Sequence, residues 1–260
     1  MNETFTVTIL GSGTSQGVPL IGCQCPVCTS TDSKDKRLRS SILISWDQQN
    51  YVIDSGPDFR QQMLREDIRS LRAVLYTHEH KDHIAGMDDV RAFNFIEKRD
   101  MELYCSTEVS VALKREFYYA FEEHKYPGVP QVNLNIIEKR PFQLPDGPVV
   151  TPILMYHYKM PVFGFRIENF AYLTDFKTIS PEELDKLKGV EYLIIDCLRE
   201  EPHISHLNLE EALEIIRILD PKESYLTHIS HSFGKNIDIL KKLPINVYTA
   251  FDGLKLTIHD

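Results

Sequence analysis

Thr77-His78-Glu79-His80-Lys81-Asp82-His83 follows directly on the apolar run Ala73-Val74-Leu75-Tyr76. The apolar run predicts a buried strand. Three histidines and one aspartate then fall within six residues, at a point where the chain turns and several side chains can converge. Neutral imidazole and carboxylate groups suit zinc, manganese or iron. The stretch therefore predicts a metal site at the end of a strand; the alternative is a polar loop whose histidines only contact solvent.

Strand patterns dominate the sequence on both sides of this stretch. Ser41 to Trp46 and Tyr51 to Asp54 are β-prone runs joined by the polar residues 47–50, which predicts two paired strands. Further strands are predicted within 132–175, over 192–196 and over 224–227, and helices within 58–70, within 106–124, from Ser180 onward and over 209–219. The pattern predicts an α/β (α+β) protein, for which a β-sandwich core faced by helices is a natural layout, although periodicity alone does not choose it over other α/β layouts. Because no linker or repeat interrupts it, we expect one domain over residues 1–260.

The composition is that of an ordinary globular protein with an acidic balance. Of its 260 residues 42% are hydrophobic, and the formal net charge is -9. This charge argues against a large basic surface, and so against a long nucleic acid as substrate. No run approaches the roughly 18 apolar residues of a membrane span, and the N-terminus lacks the basic start and cleavage site of a signal peptide. We therefore expect a cytoplasmic protein with no membrane partner.

The cysteines predict a second, structural metal site. Three of the five cysteines lie within six residues: Cys23, Cys25 and Cys28. Such a group suits a metal better than a disulfide framework. Three thiolates and one imidazole complete a tetrahedral zinc site, and His231 is the candidate histidine. We expect a zinc loop at about 22–30, with reduced free thiols as the alternative, and buried strand positions for Cys105 and Cys197.

The histidine run resembles the T-H-x-H-x-D-H signature of the metallo-β-lactamase superfamily. The resemblance implies a four-layer αββα sandwich and further metal ligands at three later strand ends, His157, Asp175 and His228. It implies that one metal is bound by His78, His80 and His157, and a second by Asp82, His83 and His228, with Asp175 as the bridge. From the residues alone, His157 could instead be a strand histidine and Asp175 a turn cap. Asp54 resembles the aspartate that orients a ligand in this family.

Two further segments narrow the resemblance. Gly11-Ser12-Gly13-Thr14-Ser15-Gln16-Gly17-Val18-Pro19 precedes the cysteines, and Thr227-His228-Ile229-Ser230-His231 lies near the end. With the cysteines they resemble the phosphodiesterases that open phosphoribosyl 1,2-cyclic phosphate in the carbon-phosphorus lyase pathway; the glycine-rich start is also similar to ribonuclease Z. This resemblance implies two divalent catalytic metals, manganese or zinc, and one structural zinc. It also implies a histidine general acid, for which His206 fits best and His203 competes. The catalytic residues are then His206 and Asp82.

The sequence thus predicts a metal-dependent hydrolase, and we expect a phosphodiesterase for a small, cyclic phosphodiester such as phosphoribosyl 1,2-cyclic phosphate. The nucleophile would be a hydroxide that bridges the two metals. The alternatives are thioester or lactone hydrolysis, a ribonuclease Z-like RNA phosphodiesterase, and a non-catalytic metal-binding module. The aromatic segment 106–129 could cover the pocket, but its pattern matches no known specificity. A homodimer is expected from the frequency of such oligomers alone.

Overall fold

The computed structural model describes residues 4–259, which form two β-sheets and seven α-helices. The strands are β1 (Thr4–Gly11), β2 (Ser41–Trp46), β3 (Gln49–Ile53), β4 (Ala73–Leu75), β5 (Met101–Cys105), β6 (Val132–Ile136), β7 (Phe142–Gln143), β8 (Val149–His157), β9 (Met160–Ile167), β10 (Phe170–Leu173), β11 (Thr178–Ile179), β12 (Tyr192–Asp196), β13 (Glu223–Thr227), β14 (Val247–Thr249) and β15 (Lys255–His259). The helices are α1 (Phe59–Arg65), α2 (Lys81–Ile84), α3 (Arg91–Glu97), α4 (Thr107–Glu116), α5 (Pro181–Asp185), α6 (Leu209–Leu219) and α7 (Asn236–Leu240). Within residues 4–259, no helix combines the length and the apolar character needed to cross a membrane.

Both sheets mix parallel and antiparallel pairs. The first sheet has the order β15-β1-β2-β3-β4-β5-β6, antiparallel from β15 to β3 and parallel from β3 to β6. The second has the order β11-β8-β9-β10-β12-β13-β14, with β7 also paired to β8. Its strands β10, β12, β13 and β14 are parallel. Each sheet therefore gathers the C-terminal ends of several strands at one edge.

The two sheets pack face to face, and helices cover their outer faces. Along β4, Ala73 and Leu75 point into the core between the sheets, whereas Val74 packs under α1, α3 and α4. Along β12, Ile194 points into the same central core and Leu193 packs under α6. Because both faces of these strands are buried, their sequences are continuous apolar runs rather than alternating ones. The predicted αββα sandwich is confirmed.

The hairpin between β2 and β3 is tighter than the sequence predicted. Only Asp47 and Gln48 form the loop, with φ of 41° and 66°, while Gln49 and Asn50 already pair with β2. Positive φ at both loop residues is the type I′ geometry, whose twist matches that of the flanking strands. The Asn50 side chain accepts a hydrogen bond from Ser45 Oγ at 2.8 Å. The expectation of a connection over 47–50 was therefore wrong, because polar residues within a strand were taken for loop residues.

Two helices are shorter than the segments over which the sequence predicted them. Within 58–70, α1 ends at Arg65, and Asp67 adopts a left-handed φ of 51° that cannot continue a helix. Within 106–124, α4 ends at Glu116 and is followed by a 3-10 turn at Tyr118–Ala120. Apolar residues spaced three apart suit a 3-10 turn as well as an α-helix, so spacing alone did not locate this end.

Candidate active site

The candidate site lies where strand ends from both sheets meet. Strands β3 and β4 of the first sheet are parallel, and so are β10, β12 and β13 of the second; β8 runs in the same direction as β10 because β9 is antiparallel to both. The residues that follow these strands therefore converge at one edge of the sandwich. They are Asp54 after β3, residues 77–83 after β4, Asp175 after β10, His206 beyond β12 and His228 after β13, with His157 ending β8.

One group of buried side chains surrounds a carboxylate oxygen of Asp175. Asp175 Oδ2 lies 3.3 Å from His83 Nε2 and 3.1 Å from His228 Nδ1. Asp82 Oδ2 lies 3.1 Å from the same nitrogen of His83. All four residues are buried, and each offers one ligand atom within 4.8 Å of the others. The sequence-predicted set Asp82, His83, Asp175 and His228 is thus brought together within the dimensions of a metal site.

A second group lies on the other side of the same carboxylate. His78 Nε2 is 4.0 Å from Asp175 Oδ1. The His78 ring centroid lies 4.7 Å from that of His80 and 5.9 Å from that of His157, and the rings of His80 and His157 are 5.1 Å apart. His78 is buried, whereas His80 is exposed and His157 half-buried. The second sequence-predicted triad therefore also converges, nearer the surface than the first, with Asp175 between the two groups.

The donor atoms fit divalent cations. Within residues 4–259, the buried nitrogens His78 Nε2 and His83 Nε2 have no partner in hydrogen-bond geometry. A buried polar atom left in this state costs about 1–3 kcal/mol unless something else satisfies it. Imidazole nitrogen and carboxylate oxygen are ligands that zinc and manganese accept, and a cation between them would satisfy both nitrogens.

The charge states of His78 and Asp175 agree with this fit. Burial and the neighbouring His83 hold the pKa of His78 well below its ordinary value, so its imidazole is neutral, the state that binds metal. Burial would raise the pKa of Asp175, but the imidazoles of His228 and His83 outweigh it and hold that pKa well below its ordinary value. The Asp175 carboxylate is therefore ionised. Burial would lower the pKa of His83, but Asp175 and Asp82 outweigh it and raise that pKa well above its ordinary value, so this imidazole has to release a proton to bind a metal.

Asp54 fixes the orientation of His83. Its Oδ2 lies 2.7 Å from His83 Nδ1, and it accepts hydrogen bonds from the backbone N–H and the hydroxyl of Thr77, both at 2.9 Å. With Nδ1 occupied in this way, Nε2 is the nitrogen left to face the cluster. A carboxylate behind a ligating imidazole holds both its tautomer and its direction.

Two contacts to His228 were not foreseen from the sequence. Thr14 Oγ1 lies 3.2 Å from His228 Nε2, and Ser40 Oγ lies 3.3 Å from its Nδ1. Thr14 belongs to the glycine-rich segment 11–19, which reaches the site because the backbone passes close by: a Cβ on Gly11 would lie 1.9 Å from the Arg39 carbonyl oxygen. In the sequence, only the glycines indicated that this segment packs closely against other backbone. The hydroxyl residues gave no indication, because such residues are common in any loop.

His206 lies against both groups, and a buried carboxylate lies behind it. Its ring centroid is 4.5 Å from that of His157 and 4.8 Å from that of His228, and its Nδ1 is 3.3 Å from Asp196 Oδ2. Burial alone would lower the pKa of His206, but Asp196 above all outweighs it and raises that pKa to about 8. His203 belongs to neither ligand group: its ring centroid lies 5.1 Å from that of His206, and its Nδ1 accepts a hydrogen bond from the Ser205 backbone N–H at 3.3 Å. Asp196 was missed, although it ends an apolar strand run just before the site.

The cysteine cluster converges on His231, as expected. Cys23, Cys25 and Cys28 place Sγ at 3.4, 3.5 and 3.6 Å from His231 Nδ1. The Cys28 backbone N–H and the His231 ring lower the pKa of the Cys25 thiol to about 6, which favours the thiolate that binds zinc, whereas burial raises the pKa of the Cys28 thiol to about 11. Cys105 and Cys197 are buried elsewhere, at the end of β5 and just beyond β12.

Comparison with known proteins identifies the family. The model of the β-lactamase superfamily domain matches residues 49–229, more than half of the chain. A solved structure of a diphosphatase of the PhnP family shares 38% identity with a TM-score of 0.92, covering 100% of this chain and 99% of that one. Zinc-bound PqqB from Methylobacterium extorquens has a TM-score of 0.79 at 18% identity, covering 96% and 99% of the two chains, a likeness of fold alone.

A curated relative extends the match over nearly the whole chain. An octanoyltransferase of Porphyromonas gingivalis strain W83 is 40% identical over 255 residues, which are 97% of this chain but 51% of that protein. The chain therefore spans about half the length of this relative. Family model, fold and convergent ligand atoms agree: the chain belongs to the β-lactamase superfamily and has the metallo-β-lactamase fold.

Proposed function

We propose that the chain is a phosphodiesterase for a small phosphodiester, such as phosphoribosyl 1,2-cyclic phosphate, and that it uses two divalent metals. The observation that carries the proposal is the pair of His206 and Asp196 beside the ligand cluster, with Asp196 Oδ2 at 3.3 Å from His206 Nδ1. A phosphodiester has an alkoxide leaving group that needs a proton, and a positioned imidazole can supply it. The similarity to a diphosphatase supports chemistry at phosphorus.

Each group of ligands would hold one metal. His78, His80 and His157 would hold the first, Asp82, His83 and His228 the second, and Asp175 would contact both. Two divalent cations bound there, manganese or zinc, would lower the pKa of a water they share and stabilise charge that develops on a phosphoryl group.

The protein residues supply position and protons. Asp54 holds the His83 ring in place, and Asp196 lies beside Nδ1 of His206, where its charge would favour the protonated ring. Protonated His206 gives its proton to the departing oxygen and then returns to the imidazolium form from solvent. The same arrangement can cleave a phosphoanhydride, and the diphosphatase similarity favours a P–O–P linkage as the second candidate.

A substrate panel tests the proposal. Metal-loaded enzyme is incubated with phosphoribosyl 1,2-cyclic phosphate, a 2′,3′-cyclic nucleotide, ADP and an acyl thioester, quenched with EDTA, and assayed by phosphorus NMR and thiol release. We expect fastest opening of the ribosyl cyclic phosphate. Cleavage of ADP alone would select the second candidate, and cleavage of the thioester alone would overturn the proposal in favour of acyl chemistry.

A further inference from the structure

A cavity of about 390 Å³ opens beside the more exposed ligand group. Its lining residues are His80, His157, Tyr158, Lys159, Met160, Ile204 and Ser205. Two of them, His80 and His157, are proposed metal ligands, so the cavity shares a wall with the reacting centre. The rest come from the turn between β8 and β9 and from the segment that leads to His206. A substrate whose scissile bond lies at the metals would extend into this cavity.

Among the residues that line the cavity, Lys159 is the one that carries an ammonium group. Other lysines near the site are paired with carboxylates, Lys81 with Glu116 and Lys177 with Glu211. For Lys159, the contact that the structure shows within residues 4–259 is with the Tyr158 ring, whose centroid lies 5.3 Å from Nζ. An aromatic face attracts a cation without neutralising it. The ammonium therefore keeps its charge available to a ligand.

The turn that carries Lys159 has an unusual conformation. His157 pairs with Met160, so Tyr158 and Lys159 alone make the turn, and Tyr158 adopts a left-handed φ of 58°. Glycine or asparagine would meet this conformation with less strain. A tyrosine there instead supplies an aromatic wall. With Ile204, which is 67% exposed, it gives the cavity apolar sides around a single positive charge.

We propose that this cavity is a subsite for a second phosphate group of the substrate, a phosphomonoester remote from the scissile bond, and that Lys159 binds it. The inference rests on the proposed function, because it assumes that the scissile phosphodiester lies at the two metals. A chain with a net charge of -9 repels a substrate that carries both a phosphodiester and a phosphomonoester, so a local cation would help to hold the second phosphate. The apolar walls formed by Tyr158 and Ile204 would flank the sugar or other carbon framework between the two phosphates. Lys159 is then a specificity-determining residue rather than part of the reaction itself.

Kinetics with a matched pair of substrates test whether the charge of Lys159 binds the remote phosphate. The pair is 5-phosphoribosyl 1,2-cyclic phosphate and ribosyl 1,2-cyclic phosphate, which differ only in the remote phosphate. For Lys159→Met we expect KM for the phosphorylated substrate to rise about fivefold, the size of a partly exposed ion pair, with kcat unchanged. KM for the other substrate should not move. Equal KM changes on both substrates, or none on either, would overturn the subsite.

Controls separate charge from structure. Lys159→Arg keeps the charge and should retain wild-type KM. Lys139→Met removes a lysine that is exposed and outside the cavity lining, and should change neither substrate's KM. A rise in KM with Lys139→Met equal to that with Lys159→Met would show a general effect of net charge and contradict the assignment.

A binding measurement keeps the inference independent of turnover. Calorimetry with ribose 5-phosphate, and with ribose as the uncharged control, should show about fivefold weaker binding of the phosphate to Lys159→Met alone. If neither cyclic phosphate is cleaved but this difference appears, the proposed function fails and the subsite stands. If both are cleaved and all variants bind ribose 5-phosphate equally, the function stands and the subsite is wrong.

Discussion

Asp175 connects the two halves of the candidate site at the scale of a single residue. Its Oδ1 faces His78 at 4.0 Å, while its Oδ2 faces His83 and His228 at 3.3 and 3.1 Å. It is also one of three site residues with a left-handed backbone, at φ of 56°, with Asp54 at 67° and His228 at 59°. Such conformations are strained for residues other than glycine, and they cluster where function fixes a side-chain direction. At each of these three residues the chain turns sharply after the end of a strand.

Removal of a ligand from the exposed group should abolish turnover. His80→Ala takes away one of the three imidazoles that would hold the first metal. We expect activity to fall by at least about a hundredfold, since even residues behind the ligands are worth 10–100-fold. Bound catalytic metal, measured by mass spectrometry, should fall as well. His259→Ala, at an exposed histidine at the end of β15, is the matched control. A folded His80→Ala variant with parental activity would contradict the site.

The role of His206 predicts a dependence on the leaving group. With His206→Asn, hydrolysis of a diester with an alkoxide leaving group should fall by about 10²–10⁴, the usual worth of a general acid. A diester with a nitrophenolate leaving group needs no proton and should lose far less. His203→Asn should affect neither substrate strongly, since His203 belongs to neither ligand group. Equal losses on both diesters with His206→Asn would assign His206 a merely structural role.

Some residues of the site could be predicted from the sequence more readily than others. His78 to His83 were found because three histidines and one aspartate fall within six adjacent residues after one strand. His157, Asp175 and His228 have no dense motif, and their order and strand-end positions were the only guide. Thr14 contacts His228 across 214 positions, and Asp196 contacts His206 across an irregular segment that has no periodic pattern. Such contacts leave no local pattern.

At the scale of elements, two glycines let the loop after β3 pack against α2. A Cβ on Gly56 would lie 2.0 Å from the Asp82 carbonyl oxygen, and one on Gly86 would lie 2.1 Å from the Gly56 carbonyl oxygen. Neither distance is possible for a real side chain. These glycines therefore hold Asp82 and His83 close to Asp54, a requirement that the sequence showed only as scattered glycines.

Gly56→Ala should disturb the metal site through this contact. Overpacking of about 1–3 kcal/mol is expected, with displacement of Asp82 and loss of bound metal. Gly189→Ala is the control, because its Cβ would meet nothing within 4 Å although its φ of 81° adds backbone strain. Thermal unfolding and metal content of both variants provide the measurement. Lower stability in both, with metal content lost only in Gly56→Ala, is the expected result; unchanged metal content in Gly56→Ala would contradict it.

The cysteine loop should contribute stability through zinc. Cys28 and His231 lie 203 positions apart, so a zinc held by the cluster would tie the loop to the segment after β13. Cys25→Ala should lose one zinc per chain and lower Tm, by about 2–4 °C for each kcal/mol lost. Cys105→Ala, at a buried cysteine outside the cluster, should keep the zinc. Full zinc content in Cys25→Ala would show that the thiols are free.

At the scale of the whole molecule, the layers follow from the sequence but the order of strands does not. Apolar runs such as Leu193 to Ile195 predict strands buried on both faces, and the amphipathic pattern over 209–219 predicts a covering helix, which is α6. Nothing local in the chain says that β15 pairs with β1 across the termini. The family resemblance implied the four layers but no strand order, and it is this order that brings loops from both sheets to one edge.

Metal titration during turnover tests the central claim most directly. The enzyme is stripped of metal, the cysteine site is refilled with zinc, and manganese or zinc is added while the opening of phosphoribosyl 1,2-cyclic phosphate is followed. The account predicts no turnover in the stripped enzyme and full turnover once two further metals are bound per chain. Turnover that survives metal removal, or no phosphodiester cleavage when both sites are filled, would contradict it.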